Sequence, residues 1–152
     1  MTRLLVCGDR QWGGRKRRTE DVELLIETLL DVRRLYGADV VIEGCARGAD
    51  RMAGGPCPSA PWDEHRGWAK VLGIPVEHFP ANWKTHIECY CPPGRGYCGF
   101  AGLRRNEQML LQGKPDIVVA FHRSFNQSKG TLHMVTIARK AGVPTFVFPS
   151  SH

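Results

Sequence analysis

At 152 residues the chain has the length of one domain and is too short for two ordinary ones. Its 42% hydrophobic and 24% charged residues are globular values, and no apolar run approaches the ~20 residues of a membrane-spanning helix, which excludes an integral helical membrane protein. Twenty-one Lys and Arg against fifteen Asp and Glu give a formal charge of +6, which favours anionic partners such as nucleotides or nucleic acid without choosing between them.

The chain starts on a strand pattern, Arg3 to Cys7, with no signal-peptide architecture before it, so a cytoplasmic protein with no membrane partner is expected. The strand ends at Gly8-Asp9-Arg10. A basic loop, Gly13 to Arg18, leads into a helix from Arg18 to Tyr36, where Val22, Leu25, Ile26, Leu29, Val32 and Leu35 recur at helical spacing and Gly37 stops it. Asp39 to Glu43 is a second strand. The next helix opens near Gly48-Ala49-Asp50, is interrupted from Gly54 to Pro61, and is predicted to resume from Trp62 to Leu72.

Pro75 to Phe79 is a third strand. A long loop from Ala81 to Gly99 precedes a helix through Leu103, Met109, Leu110 and Leu111, which Gly113-Lys114-Pro115 ends. Asp116 to Phe121 is a fourth strand, His122 to Lys129 a polar loop, Gly130 to Ala141 a helix and Val143 to Phe148 a last strand. Strand and helix alternate throughout, which predicts an α/β fold: a five-stranded, mostly parallel sheet with helices on both faces. Ligands of such sheets bind beyond the carboxyl ends of the strands. That rule selects Gly8 to Arg10, Glu43 to Asp50, Ala81 to Trp83 and His122 to Thr131.

The most telling of these is Val40-Val41-Ile42-Glu43-Gly44-Cys45-Ala46-Arg47-Gly48-Ala49-Asp50, a buried-strand pattern that breaks into a glycine-flanked turn and then a helix start. Glycines let backbone approach a ligand, helix N–H groups favour an anion, and Arg47 adds a positive fork. The same turn also occurs in α/β proteins where the glycine serves packing alone.

Several segments, taken in order, resemble the SMF/DprA-LOG superfamily of Rossmann-like proteins, and most closely its YspA-like branch. They are Gly8-Asp9-Arg10, Glu43-Gly44-x-Ala46-Arg47-Gly48-Ala49-Asp50, Phe79-Pro80-Ala81-x-Trp83, Ala101-Gly102-x-x-Arg105-Asn106-x-x-Met109, Pro115-Asp116-x-Val118-Val119-Ala120-Phe121 and Ser128-x-Gly130-Thr131. The resemblance covers nearly the whole chain and implies one domain over residues 1–152, with inserted loops near 54–65 and 85–99. It also implies a nucleotide or nucleotide-derived, phosphoribosyl-containing ligand at the strand ends. The expected ligand residues are Gly8, Arg10, Glu43, Gly44, Arg47, Gly48, Asp50, Arg105, Asn106, Ser128, Gly130 and Thr131. Gly8 and Gly48 would leave room, the three arginines would converge on phosphate, Asn106 would offer an amide to a base or ribose, and Gly130-Thr131 would open a phosphate-binding helix. Against this, Arg105, Asn106 and Thr131 could serve as helix caps, and Glu43 as an internal ion-pair partner.

Three functions stand open. The first is nucleotide binding or sensing. The second is phosphoribohydrolysis like that of the LOG enzymes, with Glu43 and Arg105 as the catalytic candidates. The LOG pattern places acidic residues just after Gly-Thr, whereas here Gly130-Thr131 is followed by Leu132-His133-Met134. Glycosidic cleavage needs a carboxylate beside an oxocarbenium-like centre, so that departure weakens the hydrolytic reading. The third is DprA-like binding of single-stranded DNA, which the basic loop allows but for which Trp12 is the only stacking aromatic nearby. No organic cofactor is inferred, and a homo-oligomer remains open.

Six cysteines in such a chain point to metal or buried thiols before disulfides. Cys7 and Cys45 fall inside strand and turn patterns and are expected to be small core residues. Cys57, Cys89, Cys91 and Cys98 lie in Pro/Gly-rich loops and are expected to hold one structural zinc, with His86 or His65 as alternatives to Cys57. Free thiols are the competing reading. A loop this long without secondary structure usually needs something to order it.

Overall fold

Alternating burial on both sides of each strand dictates a sheet sandwiched between helices. In the strand Thr2–Gly8 (β1), Leu4 and Val6 belong to one hydrophobic cluster and Leu5 and Cys7 to another, and all four are buried. The computed structural model describes residues 2–57, 61, 65–87, 89–92, 94–123 and 129–149. Its further elements are α1 (Arg18–Tyr36), β2 (Ala38–Glu43), α2 (Ala49–Gly54), α3 (Trp68–Val71), β3 (Val76–His78), α4 (Ala101–Gly113), β4 (Ile117–Phe121), α5 (Lys129–Lys140) and β5 (Thr145–Phe148).

The strands form one sheet in the order β3-β2-β1-β4-β5, and every neighbouring pair is parallel. Leu25, Leu29 and Val32 of α1, with Met52 and Ala53 of α2, fill one face. Met109 of α4 and Met134, Val135 and Ala138 of α5 fill the other. Full burial of Leu25 and Leu29 contributes about 1.5–3 kcal/mol each. Helix α1 ends at Gly37, whose φ of 66 allows its N–H to reach Arg33 O at 2.9 Å.

This is a Rossmann-like arrangement, and its topology creates the site. The chain winds outward from β1 to β3, then returns past β1 to β4 and β5. The reversal leaves a crevice at the carboxyl ends of β1 and β4, where no crossover covers the sheet edge-on. Among the described residues no helix is long and apolar enough to cross a membrane.

One predicted element is shorter than expected. The helix read from Trp62 to Leu72 is a single turn, Trp68–Val71, and residues 65–67 are not helical. Gly67 has φ 76, and a Cβ there would stand 2.7 Å from Gly54 C and Gly55 N. Close backbone packing of residue 67 on residues 54–55 takes precedence over helix propagation. Residues 58–60 and 62–64 of the first inserted loop lie outside the described residues.

Candidate ligand-binding site

A cavity of about 760 Å³ opens over the crevice. Gly8, Asp9 and Arg10 reach it from β1, Arg47 and Asp50 from the turn after β2, Trp83 from the loop after β3, Arg105 and Asn106 from α4, and Lys129, Gly130 and Thr131 from the start of α5. A second cavity of about 500 Å³ shares Arg10, Ala46, Arg47, Trp83 and Arg105 and adds Cys45 and Arg51. The expected arginines therefore do converge. Ser128 lies outside the described residues.

The turn after β2 is built around Asp50. Its Oδ2 accepts from Gly44 N at 3.0 Å and Ala46 N at 3.4 Å, which curls residues 44–50 back on the start of α2. Burial raises the Asp50 carboxyl to about 7, although Arg105 lowers it, and the Glu43 charge adds to the rise. Arg105, itself buried, donates to Gly44 O through Nη1 and to Asn106 Oδ1 through Nε. Neither Arg105 nor Asn106 is a helix cap; both are buried within α4.

Three expectations need correction. The first concerns Gly8 and Gly48, whose missing side chains make room for neighbouring protein, although the Gly8 backbone lines the cavity. A Cβ on Gly8 would sit 2.4 Å from Phe121 O, and one on Gly48, at φ 86, would sit 2.1 Å from Asp9 O. Gly44 likewise yields to the Arg105 guanidinium, 2.6 Å from where its Cβ would be. The glycines let three loops close on one another, and the arginines they admit form the cavity wall.

The second is Asn106, whose amide is engaged internally. Nδ2 donates to Gly130 O at 2.9 Å and faces His133 Nδ1 at 3.2 Å, while Oδ1 accepts from Arg105. Burial lowers the His133 pKa, which keeps the ring neutral and able to accept. Asn106 thus positions the first turn of α5 against α4. The third is Glu43. It is fully buried, lines neither cavity, and bonds His78 Nδ1 through Oε1 and Cys45 N through Oε2 at 2.8 Å. Glu43 is thus an internal hydrogen-bonding partner, with His78 in place of the arginines its neighbours suggested.

Trp83 and Lys129 were missing from the expected ligand residues. Trp83 is 37% exposed, lies on both cavities and carries the Arg10 guanidinium 5.8 Å from its ring centroid. Its signal was present in the sequence: an aromatic side chain just past the carboxyl end of a strand. Lys129 is the first residue of α5, one position before the predicted helix start.

The cysteine loop stands beside this rim. His86, Cys89, Cys91 and Cys98 offer ligand atoms that all lie within 4.8 Å of one another, a group able to hold a metal ion. His86 Nδ1 is 3.4 Å from Cys89 Sγ, and Cys91 Sγ is 3.9 Å from Cys98 Sγ. The other His86 ring nitrogen, Nε2, lies 3.1 Å from Arg95 O, the carbonyl contact that fixes a metal-binding tautomer. Burial pushes the Cys98 thiol up, but the Phe100 N–H, Arg104 and the neighbouring thiols outweigh it and bring the pKa down to about 6. Cys57 is not in this group. It sits buried against Cys45 and hydrogen-bonds it, since α2 ends at Gly54 and the chain turns there. His86 occupies the place expected for Cys57.

The chain is 32% identical over 151 residues to the Gene 61 protein of Mycobacterium phage D29, an alignment spanning 97% of each protein. It belongs to the family of that phage protein. No family model matches the chain, and no solved structure does.

Proposed function

We propose that the chain binds a nucleotide or nucleotide-derived ligand in the cavity over β1 and β4, as a sensor or nucleotide-processing domain of the YspA-like type. The observation that carries this reading is the convergence of Arg10, Arg47, Arg105 and Lys129 with the first turn of α5 around one cavity at the topological switch point. Guanidinium groups and helix N–H groups suit a phosphate, and Trp83 offers a flat apolar wall to a base. A calorimetric screen of mononucleotides, dinucleotides and cyclic nucleotides tests it. Arg47→Ala is expected to weaken the bound member tenfold or more, since a charge-assisted contact contributes about 1.5–3 kcal/mol. No binding across the screen would end this reading.

Hydrolysis of the glycosidic bond is the second reading, and one observation bears on it. Glu43 faces away from both cavities, whereas Asp50 lines the larger one and keeps its proton to about pH 7. A hydrolytic site here would use Asp50 in place of the carboxylates absent after Gly130-Thr131.

For the Cys/His group we propose a structural zinc held by His86, Cys89, Cys91 and Cys98. Four protein donors close the coordination sphere and leave no position for a reacting water. The ion would hold the loop over the rim of the cavity. Cys98 N donates to Trp83 O at 2.6 Å, and Arg104 ties the loop to α4 through Ile87 O and Thr85 O.

A further inference from the structure

The chemistry at Glu43 is left unused by the nucleotide site and by the zinc loop, and it forms a second cluster of its own. Glu43, Cys45 and His78 bring one carboxylate oxygen, one thiol and one imidazole nitrogen within 4.8 Å of each other. They come from the end of β2, the turn that follows it and the end of β3, so the adjacency of two parallel strands sets their spacing. We propose that these three side chains, completed by Cys57, are a second metal site, selective for zinc and distinct from the His86/Cys89/Cys91/Cys98 site.

The spacing fits the ion. With Zn–S near 2.3 Å and Zn–N near 2.0–2.1 Å, a tetrahedral sphere sets a sulfur–nitrogen edge of about 3.5 Å. Cys45 Sγ lies 3.7 Å from His78 Nδ1 and 3.5 Å from Glu43 Oε1. Only the His78–Glu43 edge is closed, by a direct hydrogen bond, and the ion takes the place of the shared proton. Cys57 is buried against Cys45 and hydrogen-bonds it, so a second thiol stands next to the three donors and would supply the fourth ligand by turning toward them.

The surroundings are shaped for a charged centre. Glu43 is fully buried, and a side chain on Gly54 would stand 2.6 Å from Glu43 Cγ, so the glycine keeps space for that carboxylate. The buried carboxylate is hydrogen-bonded by His78 and by the Cys45 N–H, and a dication would add the positive charge that a buried anion favours. Cys45 holds a φ of 61, a left-handed conformation that L residues seldom adopt, and this directs the thiol inward beside Glu43. Entry is open, because Cys45 also lines the cavity of about 500 Å³. Mixed sulfur, nitrogen and carboxylate donors suit zinc better than calcium or magnesium.

The test is metal stoichiometry in protein made without a metal-affinity tag, stripped by chelation and titrated with Zn²⁺ in a calorimeter and with Co²⁺ in an absorption cell. Two equivalents per chain are expected. His78→Ala should remove one and leave the other, whereas Cys91→Ser with Cys98→Ser should remove only the other. Cys57→Ser keeps the Glu43–His78 hydrogen bond and is the safer variant for folding; it should weaken the same equivalent at least tenfold. A single equivalent that the Cys91 and Cys98 changes abolish would overturn the proposal. So would a second equivalent that survives both His78→Ala and Cys57→Ser. Nucleotide binding does not enter the readout, so the outcome is independent of the function proposed above.

Discussion

Asp50 shows how much one side chain decides here. Its carboxylate closes the turn through two backbone N–H groups while its burial keeps the acid protonated to about pH 7. A carboxyl whose pKa is raised on folding binds more protons folded than unfolded. Its contribution to stability is therefore fully present below about pH 3.8, the unfolded value, and is lost as pH rises through about 7. Asp50→Asn keeps an acceptor for Gly44 and Ala46 but cannot ionise. Denaturant unfolding at several pH values should show a shallower decline for the variant between pH 4 and 8; parallel curves for variant and wild type would contradict the assignment. The corrected residues follow a similar logic. Gly8 and Gly48 were read as leaving room for a ligand, and each, like Gly44, is instead a position at which two pieces of protein touch.

Among the elements, the loop between β3 and α4 carries the sharpest expectation. It has little regular structure, yet it is joined to the cavity by the bond from Cys98 N to Trp83 O and by Arg104 on α4. Removing a metal held there should loosen this loop without unfolding the sheet, since among the described residues neither hydrophobic cluster draws on it, Phe79 standing just before it and Met109 within α4. Hydrogen exchange on Cys91→Ser, or after chelation, should speed up in that segment and leave β1 and β4 protected. Ligand affinity should drop along with it, through the displaced Trp83. Unchanged exchange in the loop would mean that its thiols hold nothing. Helix α5 is governed differently: Asn106 grips Gly130 O, so the cavity-facing turn is set from α4.

At the scale of the whole molecule, a ligand that binds only the folded state at a hundred times its Kd adds about 2.7 kcal/mol of stability. A thermal-shift series with the nucleotides that bind should therefore display a concentration-dependent rise in Tm. If the partner were single-stranded DNA, affinity would fall steeply with added salt, whereas one nucleotide site would respond weakly. Release of adenine from AMP is expected to be slow or absent, because Leu132, His133 and Met134 stand where carboxylates would be needed. Chromatographic detection of free base at turnover near the enzyme median of ~10 per second would reverse that view, and Asp50→Asn would then be the first variant to examine.

The sequence by itself determined the order and type of the elements, because hydrophobic periodicity and glycine stops are local signals. The helix Arg18–Tyr36 was read to its ends, and the strands to within two residues. It also pointed to the strand ends that line the cavity, since alternation of strand and helix permits few topologies. Only the tertiary structure decided which side chain faces the cavity and which faces another loop. Glu43 and Asp50 stand seven positions apart in one motif, and nothing local separates them. Pairing of β2 with β3 brings His78 to Glu43, and packing of α4 brings Arg105 to the turn that Asp50 holds. Cys57 was assigned by composition to the wrong cluster for the same reason. Its partner Cys45 is twelve residues away along the chain but adjacent in space, because the turn at Gly54 and Gly55 folds the segment back, and contacts of that kind are set by packing and not by spacing.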